Sequence, residues 1–216
     1  MKSKADRLVE AIEAGSGDSL AQQLLNEFFA GYSIQNLQRL LDSKLDSAVK
    51  VGAWIASELG ERAAPLMPSI AERLNHPLKY VRFFILDVVL VCAGPTDRIA
   101  LANAVRLMRD SEDAVRWKAM TFLVKATSQQ LTCSLTPEMD KELTQLTYWL
   151  VRIDGNLNGD VEIGERLTSN SSLDRAFAVV AAARRATHDS TKLRDAARSF
   201  DSEIREFAEE QLRKSG

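Results

Sequence analysis

The sequence predicts an all-α protein, and three observations carry that expectation. Gly and Pro are sparse, at 10 and 5 of 216 residues, so interruptions are few and short. Val and Ile do not alternate with polar residues over any long run, which removes the signature of half-buried strands. Polar turn clusters recur and cut the chain into segments of about 10–16 residues, the usual length of a globular helix.

The first segment, "MKSKADRLVEAIEAG", has Leu8, Val9 and Ile12 on one face, with Asp6, Arg7, Glu10 and Glu13 between them. It reads as an amphipathic helix, because a signal peptide needs an unbroken apolar stretch. "GSGD" (15–18) and "GY" (31–32) close the first two helices. "LGERAAP" (59–65), "NHP" (75–77), "AGPTD" (93–97) and "DSED" (110–113) follow as turns with helix N-caps. "SNSS" (169–172) and "HDST" (188–191) do the same near the end. Short loops between such helices imply antiparallel neighbours. The expectation is about 12–13 helices in one domain over 1–216.

Apolar residues make up 45% of the chain and charged residues 27%, the balance of a water-soluble globular core. The net charge is −2, which gives no bulk support for phosphate-backbone binding, so nucleic acid is not the expected partner. The longest apolar run, 83–94, is interrupted by Asp87 and is too short to span a bilayer. Two cysteines, Cys92 and Cys133, do not make a disulfide framework and fit a reducing compartment. The expected location is the cytoplasm.

One pattern recurs at the start of alternate helices: an aliphatic residue followed by a basic one, shortly after a turn. The pairs are Val49-Lys50, Val81-Arg82, Val115-Arg116 and Ile204-Arg205. In "SLDRAFAVVAAARRA" Arg175 is kept and Asp174 takes the aliphatic slot. Between Arg116 and Arg175 the interval is about twice the others, as if one unit has diverged.

On these residues, with the turn polar residues Asn75 and Asp110, the chain resembles the HEAT-like repeat family. The match covers 33–130 well and 170–214 loosely. The resemblance implies a right-handed α-solenoid of stacked antiparallel helix pairs. Each pair completes the core of its neighbour, and the second helices line a concave face. It also implies another protein as the partner on that groove. Lys50, Trp54, Arg82, Phe83, Asp87, Arg116 and Trp117 are the candidate partner-binding residues, since Trp and Arg are enriched at binding anchors. Lys50 and Trp54 are four apart and share a helix face, as are Asp113 and Trp117. The competing reading has the rings filling gaps between stacked pairs and the basic residues capping a turn or pairing with its acid.

The diverged interval contains "DGNLNGDVEIGE" (154–165), which fits the calcium-loop template at every fixed position. Asp154, Asn156 and Asn158 take the first three ligand positions, and Gly159 stands where the backbone must turn sharply. Asp160 offers its carbonyl, Glu162 takes the water-mediated position, and Glu165 the bidentate one. Calcium needs six to eight oxygens, which alternate residues of a tight loop can supply. The departures are Leu157, where EF-hands place a small residue, a short polar exit with Arg166, and the lack of a paired loop. The competing reading is a pair of turns with Asp160 as a helix cap.

No sequence motif for a zinc cluster, a nucleophile elbow or a phosphate loop occurs. His76 and His188 are the two histidines, both in turns, and each reads as a solvated residue. Arg184-Arg185 reads as a basic helix face. Three function classes follow: a non-enzymatic protein-interaction module, such as an adaptor, inhibitor or immunity-type protein; a calcium-responsive regulator; and a DNA-binding, glycosylase-like enzyme using Asp87, Asp113, Trp54 and Trp117. The first is the expectation, with a structural calcium site.

Overall fold

The computed structural model describes residues 2–156, 159–186 and 189–215. Among the described residues there are fourteen α-helices, three short 3₁₀ segments and no strand. The chain falls into two compact units, Met1–Ala104 and Val105–Gly216.

The first unit holds α1 (Lys4–Glu13), α2 (Gly17–Phe29), α3 (Leu37–Leu41), α4 (Asp46–Leu59), α5 (Met67–Arg73), α6 (Lys79–Cys92) and most of α7 (Arg98–Arg106). Ser3 and Asp6 form a capping box that starts α1, and Ala5, Leu8, Val9 and Ile12 turn inward. α2 packs on α1 and α4, α3 on α4, and α5 and α4 on α6. The contact between α3 and α4 is close because position 52 is glycine. A Cβ there would stand 3.0 Å from the Leu40 Cβ and 3.1 Å from the Leu41 backbone nitrogen. The core is aliphatic, with Leu24, Leu40, Ile55, Ile70 and Ile85 fully enclosed.

The second unit holds α8 (Asp113–Lys125), α9 (Ser128–Ser134), α10 (Lys141–Asp154), α11 (Asp160–Leu167), α12 (Ser172–Arg185), α13 (Thr191–Ala196) and α14 (Ser202–Ser215). Here α12 is the central element, packed on by α8, α10, α11, α13 and α14. Its alanine-rich inner face explains why so many helices reach it: Ala178, Ala181 and Ala182 are buried and let neighbours approach closely.

Two differences from the sequence expectation have local causes. More helices form than the 12–13 expected because some breaks carry no glycine. Thr127 opens α9 with a capping box to Gln130, and the Asp140 carboxylate opens α10 by accepting from Glu142 and Leu143. The long interval between Arg116 and Arg175 is also not simply two repeat lengths. α8 packs directly on α12, with α9, α10 and α11 standing between them in the chain.

Candidate functional site

The recurring basic residue has one geometry wherever arginine occupies it. Arg82 Nη1 donates to the carbonyls of His76 and Pro77, at 2.7 and 2.8 Å. Arg116 Nη1 donates to Asp110 and Ser111, and Arg175 Nη1 to Ser169 and Asn170. Arg205 Nη1 donates to Ser199 at 3.0 Å. Each side chain therefore folds back five or six residues onto the turn that precedes its helix, and supplies donors to carbonyls that the turn leaves unpaired. Other nitrogens reach acids further along the chain: Arg116 to Glu203 in α14 at 3.0 Å, and Arg175 to Asp201, just before α14, at 2.6 Å. Arg82 and Arg116 each close the turn before their own helix within their own unit.

The other candidates lie on helix faces. In the first unit Trp54 on α4 and Phe83 and Asp87 on α6 are half-buried. Phe83 meets Phe84 edge to face at 5.6 Å. Lys50 stands 5.7 Å from the centre of the Tyr80 ring, and Lys79 stands at the same distance. Tyr80 is 52% exposed and is the most open aromatic side chain of this face, although it was not among the sequence candidates. Its signal was a first-turn aromatic beside the Val-Arg pair.

In the second unit Trp117 borders a cleft of about 350 Å³ lined by Asp113, Ala114, Trp117, Ser202, Glu203 and Glu206. The indole is half-buried and meets Phe207 edge to face at 5.1 Å. Phe207 is fully enclosed, so the indole is held against the core where it borders the cleft. All the charged residues that line this cleft are acids. Asp113 and Glu203 each accept from Arg116, whereas Glu206 is exposed. Glu203 and Glu206 come from α14, about ninety positions away along the chain, and no local pattern connects them to Trp117.

The loop at 154–165 is organised by two arginines. Arg184 Nε and Nη2 donate to the Asp154 carboxylate, with a closest approach of 2.5 Å. Its Nη1 donates to the carbonyls of Leu123, Val124 and Ala126, at the C-terminus of α8. Arg185 donates to the Ile153 and Asn156 carbonyls at the end of α10 and pairs with Asp160 at 3.2 Å. Arg152 hydrogen-bonds Glu162 and holds its carboxyl below the usual range, with the Trp149 indole N–H adding to the effect. Asp160 begins α11, and Glu165 is exposed on that helix.

Of the proposed calcium ligands, Asp154 and Asp160 are therefore answered by guanidinium groups. Asn158 lies outside the described residues. Among the described residues no three His, Cys, Asp or Glu side chains are grouped to hold a metal. A cation would have to displace Arg184 from Asp154. Millimolar calcium is accordingly expected to leave the thermal midpoint of the wild-type protein within about 1 °C. A rise of several degrees that Asp154→Ala abolishes would show that the loop holds the ion.

His76 differs from its expected solvated state. Its side chain is 9% exposed, Nδ1 accepts from the Leu78 N–H at 3.2 Å, and burial lowers its pKa. His188 lies outside the described residues. Cys92 is half-buried, with Sγ 3.3 Å from the Gly60 carbonyl, and burial pushes its thiol up to about 11. A thiol so raised is protonated at neutral pH and is a weak nucleophile. Among the described residues no helix is long and apolar enough to cross a membrane.

No protein-family model and no curated protein sequence matches the chain. Solved structures do match in fold. A designed armadillo repeat protein in complex with the peptide (KR)4 superposes with a TM-score of 0.53 at 14% identity, covering 99% of this chain and 100% of that one. An archaeal HEAT-like repeats protein from Thermococcus onnurineus NA1 gives 0.52 at 13% identity, covering 98% and 96%. The fold is thus an all-α solenoid, similar to those of these HEAT-like and armadillo repeat proteins.

Proposed function

We propose that this chain is a non-enzymatic protein-binding module, and that its Trp117 cleft receives a basic side chain of the partner. One observation carries the reading: an indole held against Phe207 borders a cleft whose lining charges are all acidic. An aromatic face and carboxylates stabilise the same ligand, a guanidinium or an ammonium, by cation–π attraction and by charge. The repeat fold supports the general role, since helical-repeat faces present rows of side chains to extended partners. The designed armadillo neighbour was solved with (KR)4, a ligand of the same charge. Tyr80, Trp54 and Phe83 on the first unit supply further aromatic contacts of the kind that anchor interfaces.

Fluorescence anisotropy with labelled (KR)4 and its acidic counterpart (ED)4 tests the proposal. (KR)4 is expected to bind with an affinity that falls as salt rises, and (ED)4 to stay free. Trp117→Ala is expected to weaken binding by at least about tenfold, roughly 1.4 kcal/mol. Glu206→Gln, a surface change that leaves the core intact, is expected to weaken it by a smaller factor. Equal binding of both peptides, or no effect of either substitution, would contradict the assignment.

A further inference from the structure

The helices that carry the aliphatic–basic pair, and α12 with its Arg175, share a second feature at their starts. In each, the backbone N–H of the residue just before the helix donates to a side chain two positions earlier. Ser43 accepts from Leu45 at 3.1 Å ahead of α4, and Asp110 from Glu112 at 2.9 Å ahead of α8. Ser169 accepts from Ser171 and Ser199 from Asp201, both at 3.2 Å, ahead of α12 and α14. Ahead of α6 the acceptor is Nδ1 of His76, 3.2 Å from the Leu78 nitrogen. A backbone N–H can only donate, so this Nδ1 carries no proton. The five acceptors differ in one respect. A hydroxyl keeps its lone pairs as pH falls, and a carboxyl group keeps an acceptor oxygen even when protonated. A protonated imidazole has two N–H donors and no acceptor.

We infer that His76 makes the start of α6 acid-sensitive, a switch that the other four joints lack. Protonation turns Nδ1 from acceptor to donor, facing the Leu78 N–H, and leaves that N–H without its partner. The side chain is only 9% exposed, so the lost bond is not simply replaced by water. The charged groups around the ring are Asp46 at the start of α4, Arg73 at the end of α5 and Arg82 on α6. Burial opposes the cation most, and Arg73 and Arg82 add to it. Asp46, 3.8 Å from Nε2, favours the cation, but its side chain is 63% exposed and water screens it. The balance holds the ring's pKa below its ordinary value in the folded chain. The unfolded chain therefore takes up the proton first, and stability falls as pH drops below about 6.5. Arg82 grips the His76 and Pro77 carbonyls of the same turn, so the new charge also faces the guanidinium that closes it. The bond that fails anchors the first turn of α6, which carries the exposed Tyr80 ring.

Two substitutions and one titration of the full chain make the test. His76→Ser supplies the hydroxyl that the α4, α12 and α14 joints use, and His76→Asn supplies a carbonyl oxygen; neither side chain titrates. Between about pH 7.5 and about pH 5.5 the thermal midpoint of the wild type is expected to fall about 2–4 °C further than that of either variant. His188 and the carboxylates are common to all three proteins, so the difference isolates His76. In ¹⁵N-labelled wild type the Leu78 amide signal is expected to move in step with the His76 ring, with a midpoint below about 6.5. The Ser171 amide, held by a serine, is expected to stay in place. Equal falls in midpoint for the three proteins would overturn the inference. So would a His76 ring that takes up its proton while the Leu78 amide stays fixed, or that does so at or above about 6.5.

Discussion

Replacing Arg184 with methionine is expected to cost about 3–5 kcal/mol of stability, the range for removing one partner of a buried ion pair. The side chain is 11% exposed and its partner Asp154 is 18% exposed. Arg184 joins the ends of three helices: it arises from α12, closes the α8 carbonyls at 123, 124 and 126, and neutralises Asp154 at the end of α10. All three ends carry the negative pole of a helix, so the cation also offsets three like-signed dipoles. Without it a carboxylate and three carbonyls face one another with little water. Asp154→Ala is the milder change, at about 1–2 kcal/mol, because Arg184 keeps its carbonyl partners. Urea melts followed by far-ultraviolet circular dichroism should show that order. Equal losses for the two variants would mean that the ion pair, and not the carbonyl closure, holds the junction.

The second large effect is at Arg175, where methionine is expected to cost about 3 kcal/mol. Its side chain is 9% exposed, donates to two carbonyls of its own turn, and makes two bonds to Asp201. Asp201 in turn accepts from the Glu203 N–H at the start of α14, so one arginine secures both a turn and the next helix start. Arg205 occupies the equivalent place in the last helix with a single carbonyl contact to its turn. Arg205→Met is therefore expected to cost about 1 kcal/mol. The same melts give the comparison, and a loss at Arg205 as large as that at Arg175 would refute the onward contact as the source of the difference.

These two arginines also mark where the sequence was readable. Arg175 belonged to a visible pattern, and the four arginines of that pattern all reach back to their own turn. Periodicity exposes such contacts because both partners lie within six residues. Arg184 reads in the sequence as part of a basic helix face, because its partners stand 30 to 61 positions away. At 154–165 the template sees only spacing along the chain, whereas the guanidinium groups that meet Asp154 and Asp160 arrive from α12. The burial of His76 was hidden too, since a turn motif says nothing of what packs over it. At the proposed cleft, Asp113 and Trp117 were legible as an i, i+4 pair. Glu203, Glu206 and the backing ring of Phe207 came only with the tertiary fold.

The chain has three tryptophans, Trp54, Trp117 and Trp149, so three indole N–H resonances are expected in a ¹⁵N-labelled sample. Trp149 is 4% exposed and donates to Glu162 at 3.1 Å, which makes it an internal control. Titration with (KR)4 is predicted to move the Trp117 indole signal to saturation while Trp149 stays fixed. A Trp117 signal that does not move at millimolar peptide, or that moves no more than Trp149, would contradict the assignment of the partner site to this cleft.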